Sequence, residues 1–261
     1  PPKGGRTGHP SSPLGGKSDS KVSPLGGDLG GASSIILKEW NGDHQLNDVA
    51  PVIYYKLIYH ILQKTVADEL GDEDFQTFLT THLMKRTIPI LIKNDSSLWW
   101  DNVNTPDIRE TRKMIFSEAF EQTVRELEDQ LGSNILEWAW DKVHTLEHVH
   151  LVGRKKFFDK IFNAGPFPVP GGNEVINNYG FTMNGEGHYK VKFGPSMRIL
   201  IDFADIENSL SINPTGQSGY FMSEHYDDQA EMYNKGIFRK QMMNRGEIEN
   251  TQTGRLVLKP G

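Results

Sequence analysis

His144, Glu147 and His148, in the stretch HTLEHVH, form a His-x-x-Glu-His pattern. On an α-helix two histidines four apart share one face, so two neutral imidazoles could ligate zinc with a glutamate beside them, as in inverted-motif metallopeptidases. Such a site also needs a third protein ligand, outer partners that orient the histidines and an open position for water. No downstream helix offers a glutamate in a recognisable setting, and Gly153 closes the segment soon after. The competing reading makes His144 and His148 residues that cap or line a helix end, with Val143, Leu146, Val149 and Leu151 packed inward.

Other chemically suggestive clusters are weaker. GQSG at Gly216 to Gly219 lacks the G-x-S-x-G frame of a nucleophile elbow, because Ser218 is followed by Gly219 and Tyr220; a Gly-rich turn is the simpler reading. Glu224, His225, Asp227 and Asp228 could be metal ligands, but acids at a helix start already favour the positive end of its dipole. PGGNEV has neither the Lys nor the Ser/Thr of a phosphate loop, so Gly171 and Gly172 read as a tight turn, and the amides of Asn177 and Asn178 could hold a turn or a ligand, a turn being the simpler reading. Arg198 is expected to face a partner carboxylate.

The elements that would position these residues change character along the chain. Residues 1 to 34 hold nine Gly, five Pro and seven Ser with PLGG twice, a composition that cannot bury enough surface to offset chain entropy, and are read as a disordered leader. From Ile35 a helical region is expected to reach residue 170. One helix spans the Asn47 or Asp48 cap to Gly71, with Pro51 in its first turn; a second begins near Asp72; a third follows Asp107 and stops at Gly132. Trp99, Trp100, Trp138 and Trp140 are expected as packing residues around them. Residues 171 to 261 read as β-rich: Met197, Ile199, Ile201 and Phe203 alternate with Arg198, Leu200 and Asp202 as in a strand, HYKVKF, NSLSIN and RLVLKPG are shorter strands, and one helix lies at HYDDQAEMYNKG. The fold class is α+β, a helical first half followed by a mainly antiparallel β segment.

A chain of 261 residues with 36% apolar residues can build a sizeable core. With 28 Lys and Arg against 34 Asp and Glu, the net charge of −6 argues against general nucleic-acid binding. Cysteine is absent, which removes disulfides, thiolate metal sites and a cysteine nucleophile. No run approaches the roughly 20 apolar residues of a membrane span, and the first residues lack the apolar core of a signal peptide.

Four segments carry a family resemblance: EWNGDHQLNDVAP, GRKKFFDKIFNAGPFPVPGGNEVINN, GPSMRILIDFAD and GQSGYFMSEHYDDQAEMYNKG. In this order and spacing, over about residues 35 to 261, they resemble the C-terminal part of the β-subunit of the penicillin amidase (penicillin acylase) family, within the N-terminal-nucleophile hydrolases. The resemblance implies an αββα core and hydrolysis of linear amides, including β-lactam side-chain amides and acyl-homoserine lactones. An N-terminal Ser of the β chain would be the nucleophile, and its own α-amino group the base. Its partners would be the remaining α and β chain segments and a small amide substrate. Family members are commonly periplasmic or secreted. No cofactor is implied, although some relatives bind calcium in the complete protein. In the family the nucleophile lies upstream of the segment matching Trp40, Asn41 and Gly42, so no catalytic residue is carried over, and the chain alone is expected to be an inactive C-terminal fragment. A non-enzymatic relative of the same fold and the zinc peptidase built on His144, Glu147 and His148 are the alternatives.

Overall fold

The computed structural model describes residues 28–259, so most of the expected leader lies outside the described residues. The part that is described is helical. Asp28 caps α1 (Leu29–Glu39) by accepting from the Gly31 backbone N–H at 2.7 Å, which starts the helix ahead of the expected boundary at residue 35. α2 (Ala50–Leu79) has Pro51 in its first turn and a kink at Gly71, whose φ of 75° and ψ of 166° suit a residue without Cβ. The expected stop at Gly71 is therefore a bend, and the second expected helix continues α2. α3 (His82–Ile92) follows. α4 (Arg112–Leu131) starts later than the Asp107 expectation, because Thr111 supplies the cap that accepts from Met114 N–H; Gly132 at φ 92° ends it as expected.

Helices α2 and α4 pack along their length through Ile53, Leu62, Val66, Ile115, Ala119 and Leu127. Trp100, Trp138 and Trp140 are fully buried as packing residues, but Trp99 is largely exposed. Trp138 and Trp140 each satisfy their indole N–H on a backbone carbonyl, of Gly132 and Gly171.

Strands β1 (His144–His148), β2 (Ala164–Pro168) and β3 (Tyr189–Lys190) form one sheet in the order β2-β1-β3, antiparallel then parallel. This sheet joins residues on both sides of position 170, so the expected division into helical and β-rich regions does not fall there. A second sheet, entirely antiparallel, has the order β4 (Arg198–Leu200), β5 (Leu210–Ile212), β6 (Arg239–Lys240). The long strand expected over GPSMRILIDFAD shrinks to three residues, and Met197, Ile199, Ile201 and Phe203 are exposed, not inward. Two short helices, α6 (Ala230–Asn234) and α7 (Arg245–Thr251), complete the chain after α5 (Asp159–Phe162). α7 was not expected, and RLVLKPG is not a strand over its described residues. The chain is α+β.

Candidate functional site

The residues with the strongest sequence signal do not converge. HTLEHVH is a strand, not a helix, so His144 and His148 stand about 13 Å apart along it at ~3.3 Å per residue, and Glu147 points to the opposite, exposed face. A single zinc ion cannot be shared across that distance. The helix-end alternative fails with it: Val143 and Leu146 are buried, but Val149 and Leu151 are exposed.

His144 belongs to an aromatic core instead. Its ring stacks on Trp140 with centroids 4.6 Å apart, and its Nδ1–H donates to the Tyr189 carbonyl at 2.8 Å. Nε2 is buried without a protein partner. Burial, the largest influence, pushes its pKa down to about 4 and outweighs the hydrogen bond to Tyr189, so the ring is neutral at pH 7. His44 sits in the same cluster: Nδ1 donates to the Gly42 carbonyl at 2.9 Å, leaving Nε2 to accept from Tyr55 Oη at 3.1 Å. Tyr55 in turn stacks on Trp140. These groups hold the loop after α1 against the first sheet and leave no exposed donor set.

His148, further along the strand, borders a cleft of about 470 Å³ that His150, Phe162, Tyr179 and Ser218 also line. Its Nε2 has no protein partner, and burial lowers its pKa. Across the cleft Ser218 is tied to its own loop: its backbone N–H donates to the His225 carbonyl at 3.0 Å, and its Oγ accepts from Tyr220 N–H at 3.1 Å. GQSG runs as a bent segment beside residues 225 and 226, with the Gly216 N–H donating to the Tyr226 carbonyl at 2.8 Å, and not as the turn expected. A Cβ on Gly216 would run into the His225 carbonyl. In the neighbouring acidic stretch His225 pairs with Asp228 at 3.1 Å on the surface, just ahead of α6, while Asp227 holds the Ala230 N–H through its carbonyl.

Arg198 is the most connected polar residue of the β region. Nη1 donates to the Tyr233 carbonyl at 2.8 Å, and Nη2 donates to Asn177 Oδ1 at 2.8 Å and Tyr179 Oη at 2.7 Å. Its guanidinium lies 4.2 Å from the Tyr233 ring centroid, within cation–π range. The carboxylate expected opposite it is absent: among the described residues no Asp or Glu approaches it within ion-pair distance. All its partners are neutral.

A second charged group, unrecognised in the sequence, ties α2 to α4. Lys56 Nζ lies 2.7 Å and His60 Nε2 3.1 Å from Glu126 Oε2, with Lys56 and His60 almost fully buried. Lys56 also donates to the Gly185 carbonyl. Burial alone would raise the Glu126 pKa, but the hydrogen bonds from Lys56 and Gln122 and the adjacent cationic groups outweigh it and hold the carboxyl at about 2. Lys56 and His60 sit four apart on the apolar face of α2, and that misplaced charge was the available signal.

A family model for penicillin amidase matches residues 20–250. The chain belongs to the penicillin amidase family. It is 27% identical over 209 residues to an acyl-homoserine lactone acylase QuiP of Pseudomonas aeruginosa, a match covering 71% of this chain and 24% of that protein. The QuiP acylase of Pseudomonas syringae pv. syringae is 26% identical over 232 residues, 86% of this chain and 28% of the relative. The chain thus spans about a quarter of the length of the curated relatives it matches. Among solved structures, a thermostable penicillin G acylase from Alcaligenes faecalis aligns at a TM-score of 0.45 and 14% identity, covering 91% of this chain and 44% of that one.

The four penicillin amidase-like segments are distant in sequence but meet in the fold. The Gly171 N–H donates to the His44 carbonyl at 2.7 Å, joining the first segment to the second. Arg198, in the third, reaches Asn177 in the second and Tyr233 in the fourth. Tyr226 in the fourth donates to the Phe162 carbonyl at 2.6 Å. Their geometry is that of a structural hub, with Arg198 at its centre. Gly171 at φ 89° turns tightly there, as read from PGGNEV, and Asn177 holds that turn through Nδ2 on the Pro170 carbonyl.

Proposed function

We propose that these residues are the C-terminal part of an acylase that hydrolyses linear amides, with the catalytic Ser supplied by a segment outside them. The single observation that carries this reading is the family match across residues 20–250. The names of the QuiP relatives, which are acyl-homoserine lactone acylases, support an acyl amide as the substrate class. In this reading helices α1 to α4 wall the substrate cleft, and the two small sheets complete a layered αββα core with the remaining α and β chain segments. The apolar side chains of Ile199, Ile201 and Phe203, exposed around β4, support contact with such a further layer.

The chemistry follows from the proposed nucleophile. Its hydroxyl oxygen attacks the amide carbonyl while its own α-amine, of ordinary pKa about 7.7–8.0, takes the proton and passes it to the departing amine. Backbone and Asn side-chain donors stabilise the oxyanion, and water then releases the free acid from the acyl-enzyme. The residues present here act by position. A periplasmic or secreted location is part of the proposal; no described helix is long and apolar enough to cross a membrane.

Intact-mass measurement and N-terminal sequencing of the protein from its natural source test the reading. A larger β chain beginning with Ser, accompanied by a smaller α chain, is the expected result. A lone chain of these 261 residues that lacks amidase activity would overturn it and favour the non-enzymatic relative.

A further inference from the structure

We propose that the cavity beside Arg198 binds a small organic acid, with its carboxylate held by the guanidinium and its apolar body against Phe167, Pro170 and Ile176. The inference does not rest on the acylase reading. Three independent features of the cavity point the same way.

The first is an uncompensated charge. Arg198 is fixed by three hydrogen bonds to neutral acceptors and by the Tyr233 ring, so it is held in place without being neutralised. Three of the five N–H donors of a guanidinium are thereby used and two remain. A guanidinium already immobilised loses little further freedom on meeting a carboxylate, and hydrogen bonds between ionised partners are roughly twice as strong as neutral ones.

The second is the wall. The cavity has a volume of about 1020 Å³, open to solvent and lined largely by apolar atoms. Its charged lining residues are Arg198, Lys235 and Glu231, and the last two pair with each other at 2.5 Å, which leaves Arg198 as the net charge. In a chain of net charge −6, the cavity is locally positive. An apolar lining with few convergent polar groups is the usual make-up of a small-molecule site.

The third is Asn234. It lines the same cavity directly after Tyr233, and both its amide oxygen and its amide nitrogen are buried without a protein partner. An unmet amide of that kind carries a desolvation cost that a polar ligand can relieve. A carboxylate in the cavity meets the free donors of Arg198, and a turn of the Asn234 side chain, which has no hydrogen bond to give up, brings its amide N–H to the same group.

Isothermal titration of the natural full-length protein with benzoate and octanoate, each compared with its neutral amide, tests the proposal. Saturable one-to-one binding of at least one acid is expected, with the matching amide about tenfold or more weaker. Asn234→Asp adds a negative charge to the wall and should weaken the acid by about tenfold or more, and Arg198→Gln should do the same. Should Arg198→Gln fail to fold, the acid and amide comparison and Asn234→Asp still decide. No saturable binding by either acid, equal binding of acid and amide, or binding unmoved by Asn234→Asp would overturn the proposal. So would a crystal structure of the natural protein in which one of its own Asp or Glu side chains sits on Arg198.

Discussion

The helical layer and the β region of this chain are held together by different means. Between α2 and α4 the interior is continuous, from Ile53 and Leu62 through Leu127 to Trp138 and Trp140, all nearly inaccessible. The β region has a cluster of Leu146, Val169, Tyr179, Ile212 and Tyr233, and its two sheets have strands of two to five residues. Where apolar volume is small, polar contacts carry the geometry: Arg198 alone connects residues 177, 179 and 233. The helical layer is built by burial and the β region by a hub.

Matched truncations sharpen that contrast most. Leu62→Ala removes a fully buried side chain from a close-packed interior that cannot collapse around the void, so a loss of about 4–5 kcal/mol is expected. Ile212→Ala removes an equally buried side chain from the thin cluster, where exposed neighbours can move in, and about 2–3 kcal/mol is expected. Urea unfolding of the two variants measures both. Equal losses would mean that the β region is packed as rigidly as the helices, and the contrast would fall.

Next in size is the charge inside the helical layer. Glu126→Gln keeps the shape but leaves Lys56, almost fully buried, without its counter-ion. Breaking a buried pair on one side costs about 3–5 kcal/mol, and the partial exposure of Glu126 brings the expected loss down to about 2 kcal/mol. Lys56→Met in the same background removes the stranded charge and should recover part of it, as a double-mutant cycle in urea would show. If Glu126→Gln proves neutral, the contact between α2 and α4 is apolar throughout.

How much of this was legible follows the same division. The helical layer announced itself because its apolar residues recur over many turns and its ends carry Pro51 and Gly132, both local signals; the true cap of α4, Thr111, lost out to Asp107, an equally plausible start four residues earlier. The β region hid because its strands are too short for alternation to be distinctive. The alternation that was visible, Met197 to Phe203, marks a face that the described residues leave uncovered. HTLEHVH misled for a physical reason: a spacing of four is in phase with a helical face, and, being even, also with one side of a strand, so spacing could not decide between them. The distance between the imidazoles could, and only the strand pairing with Ala164–Pro168 fixed it. Arg198 was placed on a strand correctly, but its neutral partners come from residues up to 35 positions away, which no local pattern reveals.

Acid probes both regions at once. His144 is buried neutral with a pKa near 4, below the ordinary 6.5, so between those values the unfolded chain binds the proton that the folded chain refuses. Its contribution to stability is therefore full above pH 6.5 and is lost as the pH falls towards 4. Glu126 acts lower: its folded pKa near 2 lies below the ordinary 4.5, so the stability it lends is present above pH 4.5 and is lost as the pH falls towards 2. The acid limb of a stability profile should accordingly have two parts. Between pH 6.5 and 4 it reports the buried histidines, His144, His44 and His148 at or beside β1 and His60 in the α2–α4 contact, whose pKa values are all lowered chiefly by burial. Below pH 4.5 it reports the carboxyl of Glu126. His144→Phe preserves the stacking on Trp140 and removes the titration, at a cost of about 1–3 kcal/mol for the Tyr189 carbonyl left unpaired. In that variant the slope between pH 6.5 and 4 should flatten while the lower part stays. A slope unchanged by His144→Phe would assign the first part to another group, and the junction between helices and sheet would not be the acid-sensitive seam.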